Sequence, residues 1–257
     1  MIEPYFHQVK ALHKLPDLEW ERLAQEMPQL PRGWFELSRL SLSDRIEFAR
    51  DFWLSKLCDM ASPQVLSRIE NFFYNLEDIG FYVTQDKEKD PWDVHMVYSL
   101  KGATHFFHGS PPSSEAKIEG LRKGFDPLFL PSDYLVFLQI HDGFSKYTDT
   151  GVIKIKEIAR IYQRFQQLFA QQQLVDVYEQ AISAEAIIPF YESSRLHCYQ
   201  CFYTDRSFAK AIGNIPFFEN SLQEKEEHWA FPSFLDWLVF YLESSWICSN
   251  VSSRKPL

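Results

Sequence analysis

The chain has 257 residues, 46% hydrophobic and 16% aromatic, enough apolar material for one large core or two small ones, which excludes global disorder. Its 35 acidic residues against 26 Lys and Arg give a formal charge of −9 and an isoelectric point near 5.4, so no basic face for a phosphate backbone is expected and nucleic acid is disfavoured as a partner. No run of about 18 uncharged apolar residues occurs, because the nearest stretch, residues 234–246, carries Asp236 and Glu243; no membrane association is expected.

The opening Met1-Ile2-Glu3-Pro4 has no basic region followed by an apolar run. Cys58, Cys198, Cys201 and Cys248 are scattered through a chain too large to need a disulfide framework. A reducing, cytoplasmic location is the expectation.

In chain order, the first strong helical period is Ile46, Ala49, Trp53 and Leu57, preceded by Ser41 and Asp44 in the spacing of a capping box. A second helix is predicted from the Ser62-Pro63 pair through Val65, Ile69, Phe72, Phe73 and Leu76, stopping at Gly80. The period then changes to that of strands at residues 81–84 and 94–98, a hairpin around the polar residues 85–93. That loop, with Asp86, Glu88 and Asp90, has a superficial calcium-loop look. Pro91 and Val97 stand where Gly and Glu are needed, and interleaved lysines cancel its charge, so it is read as a solvated turn.

A third strand is expected within residues 103–108, ending at Gly109-Ser110-Pro111-Pro112, the strongest candidate boundary. Beyond it come a short helix at 113–123, a helix introduced by Leu130-Pro131-Ser132-Asp133 with a stop at Gly143, and a strand at 152–155. A Gln-rich amphipathic helix runs next from Ile158 to Phe169. Residues 186–190, 198–203 and 209–215 read as a meander, and a helix from Ser233 closes the fold. The organisation expected is an α+β fold, mainly an antiparallel sheet with flanking helices. Residues 1–110 form a helical and β-hairpin region, 113–245 a second domain, and 246–257 a tail.

No phosphate-binding loop, dinucleotide fingerprint or nucleophile elbow is present; Gly120 and Gly124 lack the lysine and hydroxyl that a phosphate loop needs. Cys198-Tyr199-Gln200-Cys201, with His197 beside it, has the spacing of a redox or zinc motif, but no second pair exists and a strand would turn the two sulfurs to opposite faces. His105 and His108 would likewise be split across a strand, and they are read as packing or surface residues. No metal and no cofactor is expected.

The string Leu130-Pro131-Ser132-Asp133-Tyr134-Leu135-Val136-Phe137-Leu138-Gln139-Ile140-His141-Asp142-Gly143-Phe144 resembles the signature of the SUKH superfamily, in which a Leu-Pro-x-Asp-Tyr start leads into an apolar helix ending in a polar-Gly turn. The order of the segments downstream is similar too: Ile187-Ile188-Pro189-Phe190, Asn214-Ile215-Pro216, and Ser233-Phe234 with Trp237-Leu238. Asp142-Gly143 stands where the family usually has Asn-Gly, and the Gln-rich helix is longer than the pattern. The resemblance covers residues 113–245. It implies a protein-recognition domain, as in toxin-immunity proteins and cell-wall regulators, with no catalytic residues. The expected function is therefore non-enzymatic binding of a protein partner, basic by charge complementarity, at a surface around Asp133, Tyr134, His141, Asp142 and Asp149 with Tyr134 as anchor. Against this stand the readings that Tyr134 is core and the carboxylates are caps and turns, that the first 110 residues are a scaffolding platform, and that Cys198 and Cys201 form a thiol-redox or zinc site.

Overall fold

A computed structural model describes residues 8–15, 17–85, 87, 90–103, 105–147, 149–169, 174–175, 181–194, 198–205, 208–216 and 231–244. Their elements begin with strand β1 (Gln8–Ala11) and helices α1 (Trp20–Glu26), α2 (Arg32–Leu37), α3 (Leu42–Leu57) and α4 (Pro63–Tyr74). Strands β2 (Leu76–Gln85), β3 (Asp93–Leu100) and β4 (Phe106–Gly109) come next, then α5 (Glu115–Gly124), α6 (Ser132–Phe137), β5 (Phe144–Lys146), β6 (Gly151–Val152) and α7 (Ile155–Phe169). The remainder is β7 (Leu174–Val175), β8 (Ala181–Ile182), β9 (Ile187–Ser193), β10 (Cys198–Asp205), β11 (Phe208–Pro216) and α8 (Phe234–Glu243). The chain is an α+β protein.

Among the described residues, nine strands form one sheet in the order β1-β2-β3-β4-β5-β6-β9-β10-β11, every pair antiparallel, while β7 and β8 pair apart from it. The break at residues 109–112 does not interrupt this sheet. Strand β4 pairs with β3 on one side (Tyr98 opposite Phe107) and with β5 on the other (Gly109 opposite Phe144), so the expected boundary is a connection from β4 to α5 inside one hydrogen-bonded ladder.

The same continuity holds in the core. Trp53 of α3 is 1% exposed, and its ring lies 5.6 Å from Phe73, 5.9 Å from Tyr98, 5.6 Å from Phe137, 5.8 Å from His141 and 5.7 Å from Phe144. One indole thus contacts rings from both sides of residues 109–112, mostly edge to face, as aromatic quadrupoles prefer.

Local rules explain most elements. Ser41 accepts from the Asp44 amide, Ser62 from Val65, Ser114 from Lys117 and Ser233 from Asp236, so four helices start where a hydroxyl satisfies an orphan N–H. Helix α4 ends at Tyr74, not at Gly80 as expected. Lys101 N–H donates to the Asn75 carbonyl at 2.9 Å, and Leu76 already pairs with Leu100 in β2. Gly80 is instead a close-approach point, where a Cβ would sit 2.6 Å from the Tyr82 ring and 2.9 Å from His13. The strand expected at 152–155 is only Gly151–Val152, because α7 begins at Ile155.

Strand β9 carries a bulge: Gln200 faces Tyr191 while Cys201 faces Pro189, leaving Phe190 as the extra residue. Both Phe190 and Tyr191 consequently reach Trp237 of α8, at 4.8 and 5.1 Å between ring centroids. On β10, Phe202 meets Tyr134 and Phe234, whereas Tyr199, three residues away, meets Phe165 of α7. Helix α7 therefore lies on the opposite face of the sheet from α6 and α8.

A candidate protein-binding groove, and the roles of the expected site residues

The residues expected to form a binding surface do not form one in this structure. Tyr134 is 0% exposed, packed among Phe190, Phe202 and Phe234, and its hydroxyl has no hydrogen-bond partner among the described residues. Burial raises the pKa of that phenol. It is core, as its place on the inner face of α6 dictates, and not an anchor.

Asp133, 7% exposed, accepts from the amides of Leu235 and Tyr134, both at 3.0 Å, so a residue of α6 holds the first turn of α8. Desolvation raises its pKa against the lowering effect of those amides. Asp142 is half-buried and accepts from the Ile155 amide at the start of α7 (2.7 Å) and from the Ser113 hydroxyl ahead of α5 (2.8 Å). Asp149, 6% exposed, accepts from the Tyr191 hydroxyl at 2.7 Å and from the Ser194 amide at 3.0 Å, tying the β5–β6 turn to the end of β9. The carboxylates are caps and turn ties.

His141 is 1% exposed. Its Nδ1–H donates to the Ser110 carbonyl at 2.9 Å, which leaves Nε2 to accept from the Tyr98 hydroxyl at 2.7 Å; that hydroxyl in turn accepts from Trp53 Nε1–H at 3.1 Å. Burial pushes the His141 pKa down to about 4, the Ser110 bond opposing only in part. The imidazole is therefore neutral near pH 7, the tautomer this chain of donors requires. Gly109 is what makes room for the ring, since a Cβ there would lie 2.3 Å from His141 Nδ1. Gly143 closes the turn at φ +99°, a left-handed conformation that favours glycine.

Cys198 and Cys201 do not come together as a thiol pair. Strand β10 runs in unbroken register with β11 from Cys198 to Tyr203, which sends residues 198 and 201 to opposite faces. Both are buried, and desolvation pushes the Cys201 thiol well above its ordinary pKa, the reverse of what a thiolate nucleophile needs. His197, Cys248 and the tail at 246–257 lie outside the described residues, as do Asp86 and Glu88. Among the described residues no group of three or more His, Cys, Asp or Glu side chains converges as metal ligands. His108 bonds to the Tyr147 carbonyl at 3.1 Å and the Ser145 hydroxyl at 3.0 Å, and burial lowers its pKa to about 4.

Among the described residues, an open concave feature lies elsewhere. Between α5 and α7 runs a groove of about 630 Å³, walled by Lys117, Gly120, Leu121 and Gly124 on one side and by Ile155, Ile158, Ala159, Tyr162 and Gln163 on the other. Phe125, Asp126, Pro127 and Leu128, which follow α5, complete its lining. A Cβ at Gly120 or Gly124 would meet nothing within 4 Å, so these glycines keep the α5 wall low. Lys117 and Asp126, nine residues apart in the chain, put one charge of each sign among the groove's lining residues. The signal in the sequence is a pair of glycines four apart on one helix and Ala159 on the next amphipathic one; weighing Gly120 and Gly124 only against a phosphate loop misses it.

Comparison with protein-family models, curated proteins and solved structures finds no match for the chain. Among the described residues no helix is long and apolar enough to cross a membrane.

Proposed function

We propose that the chain is a cytoplasmic, non-enzymatic protein-binding module of the SUKH type, immunity-like or regulatory, which receives an apolar segment of a cationic partner protein in the α5–α7 groove. The observation that carries this reading is the groove itself, an open, mostly apolar channel with Lys117 and Asp126 among its lining residues. The formal charge of −9 sets the partner's sign, since it draws a basic protein at long range and repels an acidic one. In the immunity-like version the partner is a bacterial toxin; in the regulatory version it is a component of cell-wall assembly. Support for the SUKH type comes from residues 130–143, with Pro131 ahead of α6, Tyr134 and Phe137 inward, and Gly143 in the left-handed turn.

The test uses Gly120→Arg, which fills the groove from a position where a side chain meets open space. Affinity capture with the full chain, at low and high salt, is expected to retain a basic protein on the wild type, to release it as salt rises, and to lose it with the variant. A basic partner held equally by both chains contradicts the groove, and a salt-insensitive complex contradicts the charge argument. A second reading, scaffolding through the first 110 residues, is favoured by the exposed Phe48 and Phe52 of α3 and predicts a contact that survives the Gly120→Arg block.

A further inference from the structure

Helix α3 presents two faces. One, through Ala49, Trp53 and Leu57, enters the core; on the other, Phe48 is 53% exposed and Phe52 37% exposed. Residues four apart on a helix stand in one ridge, so Phe48 and Phe52 share theirs with Asp44 before them and Lys56 after them, both exposed. The ridge reads acid, phenyl, phenyl, ammonium. Turned end for end, that order places an ammonium over the acid, phenyl over phenyl, and an acid over the ammonium.

We infer that this ridge is a self-complementary interface on which a second copy of the chain docks, the two α3 helices antiparallel about a two-fold axis. Phe48 of each copy lies against Phe52 of the other, and Asp44 of each against Lys56 of the other. Ridges of four-residue spacing aligned this way cross the helices at about 50°, the commonest packing class, and a two-fold interface has to match itself in this manner. Asp51, which comes close to the axis, is already paired with Arg50 at 2.8 Å, and Glu47 lies 3.7 Å from the same guanidinium. A uniformly basic partner would fit Asp44 but set like charge against Lys56, whose ammonium sits 6.0 Å from the Phe52 ring centroid and donates to Gln139 at 3.1 Å. A second copy satisfies both ends. The inference is independent of the α5–α7 groove.

Sedimentation of the full chain over a range of concentrations tests it. The wild type is expected to show a monomer–dimer equilibrium, and Phe48→Glu to weaken it by about 100-fold or more. Asp44→Lys alone sets ammonium against ammonium twice, and Lys56→Glu alone sets acid against acid twice, so each is expected to be monomeric. An equimolar mixture of these two variants pairs every charge and is expected to restore association as a heterodimer. A wild type that is monomeric at all concentrations overturns the inference, as does a mixture that associates no better than its parts. Asp44 also accepts from Ser41 at the helix cap, at 2.7 Å, so thermal melts accompany each variant. Should Asp44→Lys loosen α3, Phe48→Glu, at a side chain that is 53% exposed, decides the matter alone.

Discussion

At the scale of single residues, the polar groups expected to face a partner are those that hold the chain together. His141 gives this a pH signature. Its folded pKa of about 4 lies below the ordinary 6.5, so the unfolded chain binds the additional proton between those values. The stabilisation is complete above about pH 6.5 and is lost as pH falls toward 4, on the order of 3 kcal/mol for a shift of this size. His108, shifted the same way, adds to it. Urea unfolding at pH 7 and pH 5 is expected to show the loss, and His141→Gln is expected to flatten it. An equal slope in the variant would mean that other groups carry the dependence.

Two further substitutions separate core from surface at the same scale. Tyr134→Phe removes a buried hydroxyl with no partner among the described residues, and is expected to leave stability unchanged or raise it by about 1 kcal/mol in thermal unfolding. Asp133→Ala strips the Leu235 amide in the first turn of α8 of its acceptor, leaving the Ser233 cap, and is expected to cost about 1–2 kcal/mol, with Asp133→Asn costing less because its amide oxygen still accepts. Gly109→Ala forces a Cβ into the His141 ring and is expected to cost about 2 kcal/mol or more. These contacts are hidden in the sequence because a carboxylate that caps a helix a hundred residues away has the same composition as one that greets a partner.

At the scale of elements, legibility follows how local the cause is. Helices α3 and α8 are readable because each combines an apolar period with a Ser cap, and all of that information lies within a few residues. The start of α4 is equally local, but its end is not. Leu76 continues the period of Ile69 and Phe73, and Gly80 looks like a stop, yet pairing of Leu76 with Leu100 claims that residue for β2. Strand β6 is short for a similar reason, since the Asp142 carboxylate on the Ile155 amide starts α7 early. The bulge at Phe190 leaves no sequence mark beyond Pro189, which cannot donate to the ladder. Gly120→Arg belongs to this scale too. Replacing glycine in an exposed helix by a good helix former is expected to raise the melting temperature slightly, by up to about 1 kcal/mol of stability, while blocking the groove. A fall in melting temperature would show that α5 needs the glycine for packing.

At the scale of the molecule, the sheet and the Trp53–Tyr98–His141 chain join the two halves that composition separates at residues 109–112. The Gly-Ser-Pro-Pro string does mark a turn, but nothing in a turn says whether the strands beside it pair with each other. One unfolding transition is therefore expected, with coincident midpoints by near- and far-ultraviolet circular dichroism. Residues 113–245 alone are expected not to fold, since β5 would lose β4. The account's central claim is that recognition takes place in the α5–α7 groove and not around the buried residues 133–149. Hydrogen–deuterium exchange of the full chain, with and without the captured basic partner, tests this most directly. The account predicts new protection concentrated in residues 115–128 and 155–163; protection confined to residues 133–149 or to α3, with the groove unchanged, would contradict it.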